Sequence, residues 1–165
     1  MQVKIRPART SDLNRLADIE SQCFPEAEAA SFMQIKERLA AFRHSFFVAE
    51  DTGRVIGFIN GCITAQPTLT DDLYASTRLH DDDAPNVMVF GLDVVPEAQH
   101  QGVAGQLMHA YIAEARRNGK ERIILTCKRR LVSFYEQFGY VCQGKSQSLH
   151  GGAEWYDMTL DLQQL

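Results

Sequence analysis

"VFGLDVVPEAQHQGVAGQLMHAYIAEA" (residues 89–115) decides how the chain is read. An apolar run stops at Pro96, polar residues follow, and Gly102, Ala104 and Gly105 open a helical pattern. Val103, Leu107, Tyr111 and Ala115 fall on one stripe of that helix. The first N–H groups of a helix lack internal partners and carry partial positive charge, so a strand, a small-residue loop and a helix start together suit an anion. Glycines at 102 and 105 let a phosphate approach the backbone, and Ala104 adds only a methyl. A plain tight turn with close helix–sheet packing accounts for the same spacing. The stretch is neither a GxGxxG fingerprint nor a GK[ST] phosphate loop.

Outward from this segment the chain alternates strand and helix patterns. "VKIRPA" (3–8) alternates as a strand, and Thr10 or Ser11 is placed to cap a helix bearing Leu13, Leu16 and Ile19, which ends at Pro25. A second helix is expected over 32–42, with Phe32, Ile35, Leu39 and Phe42 on its apolar face. Two strands flank a turn at Thr52-Gly53. Residues 66–86 are polar and long for a connection, which makes them a candidate acceptor loop or lid. "NVMVFGLDVV" (86–95) reads as one continuous central strand. After the Gly102 helix, Asn118-Gly119 stops the turn, "RIILTC" (122–127) is a buried strand, and a short helix over 131–138 closes at Gly139. "YVCQG" and "WYDMTL" are the last strands. The expected architecture is mixed α/β, a central mixed sheet flanked by helices, in a single domain spanning 1–165.

With 165 residues, 45% of them hydrophobic, the chain can bury an ordinary core. A net charge of -4 argues against nucleic acid as partner, which needs a clustered positive field. Arg116, Arg117, Lys120, Arg122 and Lys128 to Arg130 form the densest basic group and read as a solvated face. No apolar run reaches the ~18 residues of a membrane span, and the opening "MQVKIRPART" has no signal-peptide core. Cys23, Cys62, Cys127 and Cys142 show neither CxxC pairing nor metal-ligand spacing. A reduced, cytoplasmic protein without a structural metal is expected, with a homodimer among the assemblies open to it.

"Gln99-His100-Gln101-Gly102-Val103-Ala104" resembles the Q/R-x-x-G-x-G/A pyrophosphate loop of the GCN5-related N-acetyltransferase (GNAT) superfamily, and the element order resembles that acyl-CoA N-acyltransferase fold. "LTCKRRLVSFYEQFGY" (125–140) and "LTDDLYASTRLH" (69–80) are similar to segments of serotonin (arylalkylamine) N-acetyltransferases. The resemblance implies acetyl-CoA as co-substrate. The strand at Leu92, Asp93 and Val94 would pair with its pantetheine arm, and an N–H near Leu92 would polarise the thioester carbonyl. N–H groups of His100, Gln101, Gly102, Val103, Ala104 and Gly105 would hold the pyrophosphate. Tyr135 would protonate the departing thiolate; apart from the resemblance it reads as a core aromatic on a short helix. Where serotonin acetyltransferases carry two histidines, this chain has Met88 and Phe90, neither of which takes a proton. These would line an apolar acceptor pocket, and Glu20, His80, one of Asp81 to Asp83, or a water chain would replace the base.

The resulting expectation is an N-acetyltransferase that moves acetyl to a primary amine, a small aryl- or alkylamine, by direct attack in a ternary complex. Cys127, in an apolar strand, does not suit an acyl-carrying nucleophile. Acetylation of a protein N-terminus or lysine is the second expectation. A non-catalytic acyl-CoA-binding sensor is the third.

Overall fold

A computed structural model describes residues 1–163. Among the described residues, nine strands and five α-helices follow in the order β1 (Val3–Pro7), α1 (Leu13–Cys23), α2 (Phe32–Ala41), β2 (Phe46–Asp51), β3 (Arg54–Asn60), β4 (Ile63–Thr64), α3 (Asp71–Ala75), β5 (Asn86–Val89), β6 (Gly91–Val94), α4 (Val103–Arg117), β7 (Arg122–Cys127), α5 (Val132–Glu136), β8 (Val141–Lys145) and β9 (Tyr156–Asp161). The expected α/β class and its helix-flanked mixed sheet hold. The sheet is divided into a four-stranded part ordered β1-β2-β3-β6 and a five-stranded part ordered β4-β5-β7-β9-β8.

That division corrects the reading of 86–95 as one strand. The run breaks at Phe90, and its halves pair in different directions: β5 lies parallel to β7, while β6 lies antiparallel to β3. The facing segment makes a close approach beside the break. Gly61 sits so close to β5 that a Cβ there would come 1.5 Å from the Met88 carbonyl oxygen. The two sheets therefore meet at Gly61 and Met88, then diverge, and β6 becomes the free edge of its sheet. Its free edge opens onto the gap between the sheets.

Helices cover both faces. On α4, the stripe Val103, Leu107, Tyr111 and Ala115 is buried as expected, and Tyr111 also donates to the Ser45 carbonyl at 3.1 Å. On α1, Leu16 and Ile19 are fully buried. Neither Thr10 nor Ser11 caps that helix. A 3₁₀ turn (Thr10–Asp12) precedes it, and the Asp12 carboxylate accepts from the Arg9 N–H at 2.8 Å while pairing with Arg6 at 2.9 Å. Ser31 caps α2 through a reciprocal pair with Gln34. The apolar face of α2 differs from expectation: Phe32 is exposed, while Ile35, Arg38 and Phe42 are buried.

Residues 66–86 are not the loose, polar lid that their composition suggests. Leu69, Leu73 and Ala84 are buried, α3 occupies the middle, and the Lys120 ammonium donates to the carbonyls of Asp82 and Ala84 at 2.6 and 2.8 Å. Three apolar anchors and a buried cation hold this segment against the body of the protein. None of the described helices is long and apolar enough to cross a membrane.

Candidate active site

A cavity of about 320 Å³ opens where β6 and β7 part. Its floor is made by Val89 to Leu92 and Leu125 to Cys127, and its walls come from α1, the loop after it, α2, α3, α5 and the segment between β8 and β9.

The free edge of β6 supplies one set of polar groups. The Val95 N–H donates to the Ile56 carbonyl at 2.9 Å, and this sets the phase of the β3–β6 ladder. In that phase Asp93 exchanges its backbone bonds with Phe58, while Leu92 and Val94 turn theirs toward the open edge. The Val94 carbonyl accepts there from the Gln99 amide at 2.9 Å and the Cys23 thiol at 3.3 Å. Asp93 thus leaves the expected cofactor set, since its backbone is occupied and its side chain is fully buried.

The start of α4 supplies a second set. Gly102 is the N-cap at φ 85°, and His100 is at φ 63°. The αL backbone turns successive N–H groups outward. Among the described residues, none of the N–H groups from His100 to Gly105 meets an acceptor; the first bonded one is Gln106, to the Gly102 carbonyl. A Cβ on Gly102 or Gly105 would meet nothing within 4 Å, so this face is open. Such a row of free donors at a helix N-terminus fits a phosphate.

Carboxylates form a third set. Glu20 lines the cavity and Asp93 lies behind it. Both surround Gly91: a Cβ there would lie 2.9 Å from Asp93 Oδ1, 3.6 Å from Asn60 Nδ2 and 3.8 Å from Glu20 Oε1. Glu20 Oε2 accepts from the Ala30 N–H at 2.8 Å. Burial, and then the neighbouring Glu20, push Asp93 well above the usual carboxylate range. Neither Asp93 carboxyl oxygen has a hydrogen-bond partner among the described residues.

Tyr135 lines the cavity from α5 and is 8% exposed. Its ring packs edge-on against Phe134 and Tyr140. Burial pushes its hydroxyl well above the ordinary tyrosine value, so it carries its proton at neutral pH. The Cys127 thiol, also on the cavity wall, is pushed up to about 12 by burial.

Several wall residues were not anticipated from sequence. Tyr74 shares a hydrogen bond with Thr126 at 3.0 Å and stacks on His150 with centroids 4.5 Å apart. His150 meets the Glu28 carbonyl at 2.8 Å, and Lys128 pairs with the Glu28 carboxylate at 2.9 Å. Arg38 lies over the Phe90 ring, 4.7 Å from its centroid. Arg38 had a signal, because it falls between Ile35 and Phe42 at helical spacing on an otherwise apolar face.

Two expected acceptor residues are elsewhere. Met88 is fully buried in β5, where its N–H donates to the Cys62 carbonyl, so its neighbour Val89 reaches the cavity instead. The His80 ring packs 4.9 Å from Phe42; its Nδ1 accepts from the Ile63 N–H at 3.0 Å and its Nε2 meets Asp82 at 2.8 Å. With both nitrogens engaged and the ring outside the cavity, His80 is a structural histidine. Asp81 accepts from the Asp83 N–H within the same outlying turn. Phe90 and Glu20 do line the cavity.

The model of the acetyltransferase (GNAT) family matches residues 13–140. The chain belongs to the GNAT acetyltransferase family. It is an acetyltransferase, and acetyl-CoA is the co-substrate. An uncharacterized N-acetyltransferase of Bacillus subtilis (strain 168), YhfO, is 30% identical over 146 residues, covering 84% of this chain and 89% of the relative. The fold is similar to the loading GNATL domain of CurA from Lyngbya majuscula, with a TM-score of 0.85, 16% identity and 99% of each chain covered. It is also similar to the GNAT-like decarboxylase GphF in complex with isobutyryl-CoA, with a TM-score of 0.84, 20% identity, 97% of this chain covered and 100% of that one.

Proposed function

We propose that this GNAT acetyltransferase moves acetyl to the primary amine of a small aryl- or alkylamine, by direct attack in a ternary complex. One observation carries the reading: a single cavity is lined by a carboxylate backed by a second one, by the open edge of β6 and by a buried tyrosine. An alkylammonium with a pKa near ~10 must lose a proton before it attacks. Glu20 takes that proton, and Asp93 behind it accommodates the added charge change. The free N–H of Leu92 faces the thioester carbonyl and stabilises the oxyanion as it forms. Tyr135 gives a proton to the departing sulfur, and the second proton that the nitrogen loses as the amide forms restores the Tyr135 hydroxyl. The free N–H groups of His100 to Gly105 hold the pyrophosphate, and Leu92 and Val94 hold the pantetheine arm.

The phenyl ring of Phe90, with Tyr74 and Trp155 nearby on the wall, favours an aromatic or alkyl acceptor. This is the likeness to arylalkylamine acetyltransferases that the 125–140 segment suggests, with a carboxylate pair in place of their histidines. The volume of about 320 Å³, shared between thioester and acceptor, favours a small amine over a folded protein's lysine. Cys127 stays protonated, which favours direct attack over an acyl-enzyme.

The test is acetyl-CoA-dependent thiol release with arylalkylamines, polyamines, amino acids and peptides. Small primary amines are expected to turn over. With a good acceptor, Tyr135→Phe should lower kcat by ~10²–10⁴-fold and leave acetyl-CoA affinity little changed. Wild-type kcat in that variant would remove Tyr135 from the mechanism. Binding of acetyl-CoA without turnover of any amine would favour a sensor.

A further inference from the structure

Amine acetylation leaves one charged part of the cavity wall without a task. Arg38 is 5% exposed, on the apolar face of α2 between Ile35 and Phe42. Its side chain lies over the Phe90 ring, and its Nη2 donates to the Tyr74 carbonyl at 3.2 Å. Among the described residues that is its one hydrogen bond, and no carboxylate stands within ion-pair distance of it. Its Nε and Nη1 have no protein acceptor, yet they are not sealed off as the buried Nη2 of Arg15 is. The residue lines the cavity, so these donors face it.

A guanidinium is costly to bury, and it is retained where its fork of donors is matched. The charges of Glu20 and Asp93 favour the guanidinium at longer range, but neither carboxylate comes within ion-pair distance, so they leave its fork unmatched. Nη2 gives one of its two hydrogens to Tyr74, so one edge of the fork keeps both donors, and a carboxylate is the planar partner that such an edge accepts. We infer that Arg38 is the receptor for a carboxylate on the molecule that enters this cavity. For the amine half this rests on the reading above: an amino acid would place its amine at Glu20 and its carboxylate at Arg38. The same carboxylate could come from the donor side, on the acyl group of a dicarboxylic acid thioester.

The experiment uses matched pairs that differ by one carboxylate. Phenylalanine against phenethylamine, and tryptophan against tryptamine, are compared for kcat/KM with acetyl-CoA. Succinyl-CoA and malonyl-CoA are compared with acetyl-CoA for binding by calorimetry. The expected result is a preference of about 30-fold or more for the carboxylated member of one kind of pair, falling toward parity in Arg38→Met. A preference within the amine pairs identifies the acceptor as an amino acid; within the thioester pairs, it identifies a dicarboxylic acyl donor. The wild-type comparison stands without the variant, and Arg38→Lys, which keeps charge but loses the fork, checks against misfolding. Equal handling of both members of every pair by the wild type would overturn the inference. So would a preference unchanged in a folded Arg38→Met. If no amine of either kind turns over, the amine-transfer reading fails. Arg38-dependent binding of the carboxylated ligands would still support this inference.

Discussion

The two ends of the cleft are built by opposite means. At the proposed donor end, six consecutive residues, His100 to Gly105, present backbone N–H groups from one helix start. At the acceptor end, Glu20, Arg38, Tyr74, Thr126 and His150 come from five separate elements and present side chains. A site made of consecutive backbone groups tolerates any side chain that stays out of the way. A site made of dispersed side chains depends on each residue and on the packing that aims it. The donor end should therefore fail through shape, and the acceptor end through chemistry.

Gly102→Glu presses hardest on this contrast. The position needs φ 85°, and the new carboxylate would stand among donors meant for phosphate. Calorimetry should show acetyl-CoA affinity falling by about 100-fold or more, with the fold intact by circular dichroism. Unchanged affinity would take the pyrophosphate away from this loop. Glu20→Gln should be next in size. It keeps the shape and removes the proton acceptor, so kcat/KM for the amine should fall by ~10²-fold while acetyl-CoA affinity hardly moves. A matching loss of donor affinity would erase the proposed division of labour. Glu28→Gln should be the mildest change. It weakens the pairing with Lys128 that ties the loop after α1 to the strand end of β7, and a few-fold rise in acceptor KM is expected, with kcat retained. A loss as large as that of Glu20→Gln would move the chemistry to Glu28.

The same contrast explains how far the sequence could be read. The strand, loop and helix start of the proposed donor end were legible because their signal is contiguous: small residues, a helix stripe and a strand before them lie within 27 residues. The stripe Val103, Leu107, Tyr111 and Ala115 is buried as its period requires. The phase of β6 was not legible, because alternation says which face a side chain takes and not which strand claims the backbone; hence Asp93 was grouped with Leu92 and Val94. The break at Phe90 was hidden for a related reason, since the change of pairing partner beside it involves strands distant in sequence. On the acceptor side, composition made 66–86 look unanchored, although Leu69 and Leu73 hold it and Lys120 clamps it from a distant turn. His80 looked available as a base until Ile63, Asp82 and Phe42 were placed around it. Arg38 alone among the missed residues had a local mark, a charge on an apolar helical face.

The free edge of β6 carries a consequence for how the protein behaves among other chains. An unpaired strand edge is a template for pairing with any extended polypeptide, and proteins ordinarily blunt such edges with charges, bulges or cover. This one is recessed in a cleft, and its Val94 carbonyl is already occupied by Gln99 and Cys23. A polypeptide strand, with side chains on both faces, needs about the full spacing between neighbouring strands along its length. A slender, unbranched arm does not. The recess thereby shields this one edge from edge-to-edge pairing while leaving its remaining hydrogen-bonding groups open to a ligand thinner than a strand.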